Sequence, residues 1–133
     1  MTSLLGTGSF FSYDVEPFLP ETYTHNTSPS AYPPSSSRSL GLLPLNIYFA
    51  WAVDLLDSDS FFHDAVKQSA AHILNVALSE GQENIENAPI YPNYAIFDTP
   101  LQNMYSENVP TLQSLRERID PDNVMYLTGG FKF

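Results

Sequence analysis

The sequence contains no cysteine. The chain can therefore form no disulfide, build no cysteine-ligated zinc site and supply no thiol nucleophile. Basic residues are also scarce, with 5 lysines and arginines against 15 aspartates and glutamates and a formal net charge of −10. Nucleic acids and anionic membrane surfaces require a basic footprint, so neither is expected as a partner.

Long hydrophobic runs are missing as well. The opening stretch, "MTSLLGTGSFFSYDVEPFLP", has no basic region, and glycines and serines interrupt its apolar residues. We therefore expect neither a signal peptide nor a membrane-spanning helix there. The chain does have 133 residues, 43% of them hydrophobic, which is enough for the core of one domain if those residues are well patterned.

The first third of the chain is dominated by small polar residues and proline. Residues 20–39, "PETYTHNTSPSAYPPSSSRS", contain four prolines and many serines and threonines. This composition is typical of a loop. Residues 1–39 are therefore predicted to be an extended segment, with little regular structure over 20–39.

One strand is predicted over residues 45–53, because apolar residues alternate there with a second set on the opposite side. The first set consists of Leu45, Ile47, Phe49 and Trp51. A lone strand leaves its backbone groups unpaired, so it needs other strands beside it. This indicates that the chain is the end of something larger.

A long helix is predicted from Asp57 to Glu80, with Ser58 or Asp57 capping its start and Gly81 its end. Its apolar stripe has helical spacing and consists of Phe62, Val66, Ser69, Ile73, Val76 and Ala77.

Two shorter helices follow. Thr99, Pro100 and Gln102 form a capping-box signature for a helix over 100–105. A second helix is expected over roughly 109–119, with Leu112, Leu115 and Ile119 on one face. The "DPDN" sequence at 120–123 ends it, and "VMYLTGGFKF" is predicted to be a short strand or an extended tail.

The histidines give no sign of a metal site. His63 and His72 are nine residues apart on the predicted helix, His25 is distant in sequence, and no carboxylate pair accompanies them. Histidines without convergent partners are usually structural or solvated, so no metal is expected.

The residues most suggestive of chemistry lie in "YPNYAIFDTPLQNMY", residues 91–105. A tyrosine beside a reacting centre can accept or donate a proton, and an asparagine can hydrogen-bond a flat cofactor. Tyr91, Asn93 and Tyr94 are therefore candidate site residues. The alternative is a buried aromatic turn with no chemical role.

Several pieces in order carry a resemblance: "LLPLNIYFAW" (42–51), the long helix, "YPNYAIFDTPLQNMYSENVPTLQSLRERIDPDNVM" (91–125) and "GGFKF" (129–133). Together they resemble the carboxyl-terminal part of fungal FAD-linked oxidoreductases of the berberine bridge enzyme type. The resemblance covers roughly residues 29–133.

The resemblance implies an α+β fold. Residues 40–90 would be part of the family's substrate domain, an antiparallel sheet with backing helices, and 91–133 would be the segment that returns to the FAD domain. The family oxidises small molecules. For this chain the resemblance implies a substrate of fungal secondary metabolism, for example an alkaloid such as an ergot-type intermediate. The cofactor of the family is FAD.

The resemblance also assigns roles to the candidate residues. Tyr94 matches the tyrosine that acts as, or assists, the catalytic base, Asn93 matches a residue near the flavin, and Tyr91 would line the same pocket. Ile96 and Ser106 depart from residues that are often acidic and glycine in the family. The larger departure is that these 133 residues hold no Gly-rich diphosphate loop and no FAD domain.

Two hypotheses follow. The first is a truncated FAD-linked oxidoreductase that binds no FAD and is inactive by itself. The second is a small acidic binding protein that reuses the substrate-domain remnant and associates with another chain through the exposed strand 45–53.

Overall fold

The computed structural model describes residues 8–19, 21–25, 28, 30–34, 43–51 and 58–133. The chain divides into two compact units. Unit 1 comprises Met1–Glu16 and Pro44–Glu86, and unit 2 comprises Pro17–Leu43 and Asn87–Phe133. Helices and an antiparallel sheet are both present, so the predicted mixed α+β class is confirmed.

Unit 1 contains a two-stranded antiparallel sheet. Strand β1, Gly8–Val15, pairs with strand β2, Leu45–Trp51. Phe11 lies opposite Phe49 and Tyr13 opposite Ile47, which places these apolar residues on one face. The predicted strand at 45–53 is thus confirmed over 45–51, and its last two residues lie outside the described residues.

Helix α2, Ser58–Ser79, packs on the apolar face of this sheet. The Trp51 indole ring stacks on the Phe62 ring, with 4.7 Å between centroids and 18° between planes. The Trp51 Nε1–H group also donates to Oδ1 of Asp59 at 2.9 Å. The Tyr13 and Ser69 hydroxyls lie 2.8 Å apart and share a hydrogen bond farther along the helix. Together these contacts fix the strands to the predicted stripe of α2.

The end of α2 is set by Gly81, as predicted. Its φ of +82° is the left-handed conformation that costs glycine least. The Gly81 N–H donates to the Leu78 carbonyl and the Gln82 N–H to the Ala77 carbonyl, both at 3.0 Å. This pair of bonds is a Schellman motif, which satisfies two carbonyls that the helix leaves open.

Unit 2 is built from short helices. They are α1 (Glu21–Thr24), α3 (Leu101–Tyr105), a 3₁₀ helix (Ser106–Asn108), α4 (Val109–Ile119) and a second 3₁₀ helix (Val124–Leu127). The buried residues of this unit in the described part of the chain are Pro33, Pro34, Pro89, Met104 and Val109. Three of these five buried residues are prolines.

Three predictions differ from the structure. Residues 1–39 carry strand β1 and the single-turn helix α1, so this segment is not simply extended. The capping box at α3 is wrong, because Pro100 is its N-cap and no side chain caps it. Residues 124–127 form a 3₁₀ helix rather than a strand, because the Asp120 carboxylate accepts hydrogen bonds from the Val124 and Met125 N–H groups.

Candidate functional site

The candidate residues lie in an aromatic cluster of unit 2. We call it the tyrosine cluster, and its members are Phe18, Tyr23, Tyr32, Tyr91 and Tyr94. The Tyr91 ring is its centre, with centroid distances of 5.2 Å to Phe18, 5.5 Å to Tyr32 and 5.1 Å to Tyr94. The contacts with Phe18 and Tyr94 are T-shaped, a favoured arrangement for aromatic pairs.

A tight turn brings Tyr91, Asn93 and Tyr94 together. The Tyr94 N–H donates to the Tyr91 carbonyl at 2.9 Å, which closes the turn. The Asn93 side chain is exposed, and its Nδ2–H group donates to the Tyr91 hydroxyl at 2.9 Å. Pro92 sets the turn, since its ring fixes φ at the second position. The three predicted site residues are therefore neighbours.

Segments distant in sequence hold this turn in place. The Ile90 N–H donates to the Asn103 carbonyl at 2.8 Å, which ties the approach to the turn to helix α3. The Tyr32 hydroxyl donates to the Pro89 carbonyl at 3.5 Å, a long bond. Asn108 Nδ2–H donates to the Ala31 carbonyl at 3.0 Å. The stretch 87–108 thus packs with the Pro/Ser segment.

Burial keeps two phenols of the cluster neutral. The pKa of Tyr32 is raised well above its ordinary value, first by burial and then by the negative charges that Tyr23 and Tyr91 would carry. Burial, followed by the charge of Tyr91, also raises the pKa of Tyr23. The raised pKa values of Tyr32 and Tyr23 mean that the phenolate form is disfavoured at these two residues.

The sequence did not identify three members of the cluster. Phe18, Tyr23 and Tyr32 come from residues 1–39, for which the sequence predicts an extended segment. Their signal was present, because large aromatic residues in a segment of prolines, serines and threonines suggest burial. Tyr32 also precedes two consecutive prolines, and both are buried.

The acidic residues and histidines do not form a metal site in the described part of the chain. There, no three side chains of the ligating types His, Cys, Asp and Glu come together. His63 Nδ1 lies 3.9 Å from Oδ1 of its sequence neighbour Asp64. The geometry thus offers the turn at 91–94, not a metal, as the candidate site.

The cluster fits a flavin only in part. The Asn93 amide and the Tyr94 ring could contact one edge of a flat ring system, because an amide both donates and accepts hydrogen bonds. The Tyr91 ring, by contrast, is already in contact with three other rings. A diphosphate needs basic side chains or a glycine-rich loop, and segments 17–34 and 87–108 contain no lysine, arginine or glycine. The residues present do not fit that half of FAD.

Comparisons with protein-family models, with curated proteins and with solved structures found no match to this chain. Over the residues that the structure describes, no helix has both the length and the apolar character needed to cross a membrane.

Proposed function

We propose that this chain forms the substrate-side and carboxyl-terminal part of an FAD-linked oxidoreductase of the berberine bridge enzyme type. In this proposal the chain alone is inactive. The observation that carries it is the turn at 91–94, where an exposed asparagine amide and a tyrosine lie side by side on a packed aromatic support. The ordered sequence pieces over residues 29–133 add to this support.

The roles of the residues follow from their chemistry. Tyr94 would hold or move a proton at its hydroxyl, and Asn93 would hydrogen-bond the edge of the flavin ring. Tyr91 would line the pocket from behind, since its hydroxyl already accepts a hydrogen bond from Asn93. When bound, FAD supplies the hydride acceptor for oxidation of a small molecule.

The proposed role of Tyr94 requires positive charge from outside the segments that build the tyrosine cluster. A tyrosine serves as a base near neutral pH only when a cation or strong donors favour its phenolate. The segments that build the tyrosine cluster contain no lysine or arginine. The flavin-binding part, from the same gene or from another polypeptide, would have to supply that charge together with the diphosphate site.

A second candidate is a small acidic interaction protein. It is favoured by the apolar side chains that β1 exposes, among them Phe10, Phe11 and Val15. In the described residues the sheet has two strands, and β1 pairs with one edge of β2. Association through strand 45–53 would therefore use the other edge of β2.

The two candidates differ in what the purified chain and its gene should show. We expect the chain alone to carry no flavin absorbance and to show no oxidase activity with added FAD. A yellow, active preparation would contradict the proposal that the flavin half is required. Sequencing the DNA upstream of Met1 should find a flavin-domain coding region, in frame or frameshifted. An unrelated upstream sequence would favour the interaction protein.

A further inference from the structure

We draw no further inference here: the strongest candidate, the exposed apolar patch of Ile119 and Val124–Leu127 at the carboxyl-terminal end of unit 2, carries none, because the part of the chain that the structure describes does not show what covers it.

Discussion

The Asn93 amide donates a hydrogen bond to the Tyr91 hydroxyl, with 2.9 Å between Nδ2 and Oη. This bond joins two of the three candidate site residues across the turn. It leaves the Asn93 side chain exposed while the Tyr91 ring packs against Phe18, Tyr32 and Tyr94. The turn is thus held by the packed Tyr91 ring, and its Asn93 amide is accessible.

A double-mutant cycle should measure this bond. We expect Asn93→Ala and Tyr91→Phe to be coupled by about 0.5 kcal/mol in the free energy of unfolding, the low end for a hydrogen bond because Asn93 is exposed. Urea unfolding of the two single variants and the double variant provides the measurement. Gln102→Ala, an exposed change on α3, should show no coupling to Tyr91→Phe. Coupling near zero between Asn93→Ala and Tyr91→Phe would contradict a stabilising hydrogen bond between the two side chains.

Stability should depend on pH in the alkaline range through Tyr32. Burial raises the pKa of Tyr32 above its ordinary value of 10.0, so the folded state favours the neutral phenol. The resulting stability is complete below about pH 10 and is lost as the pH rises above it, because the unfolded chain ionises first.

Urea midpoints measured from pH 8 upward should therefore fall above about pH 10. Tyr32→Phe should flatten this decline, and Tyr126→Phe, on an exposed tyrosine, should leave it as it is. An unchanged decline in Tyr32→Phe would show that another group is responsible.

Phe62 should be the most sensitive residue of unit 1. It is 2% exposed and contacts the rings of Trp51, Phe11 and Phe61. Phe62→Ala should cost roughly 3 kcal/mol or more, because it leaves a cavity beneath the sheet. Phe61→Ala, on the partly exposed neighbour, should cost clearly less. Thermal unfolding followed by Trp51 fluorescence compares the two, and equal losses would contradict this packing.

Gly81 should tolerate no side chain without cost. Its left-handed φ strains any residue with a Cβ, so Gly81→Ala should lower the free energy of unfolding by about 1 kcal/mol. Gly129→Ala is the matched control, because a Cβ there meets nothing within 4 Å and its φ is not left-handed. Chemical denaturation of both variants distinguishes them. Equal stability of the two variants would argue against the Schellman motif as the end of α2.

The local elements of the fold could be predicted from sequence. The apolar alternation of β2, the stripe of α2 and the glycine at its end each act over a few residues, and the structure has all three. Helix α4 begins and ends at the predicted residues, 109 and 119. These features follow from periodicity and capping, which neighbouring residues determine.

Features that depend on distant contacts could not be predicted in the same way. Strand β1 shows alternation at Phe11, Tyr13 and Val15, but its pairing with β2 joins residues thirty or more positions apart. The packing of Tyr32 on Tyr91 joins two segments of unit 2 between which the chain passes through Pro44–Glu86 of unit 1. Such pairs depend on tertiary packing, which a one-dimensional pattern does not encode.

The most direct test of the proposed function is flavin reduction by a reconstituted complex. The full chain would be co-expressed with the flavin-binding part of a fungal berberine-bridge-type oxidoreductase from which the matching carboxyl-terminal part has been removed. The complex should retain flavin and be reduced by that enzyme's substrate, and Tyr94→Phe should slow reduction by about 10²-fold or more while retaining the flavin. Failure to form the complex, or reduction at an unchanged rate in Tyr94→Phe, would contradict the account.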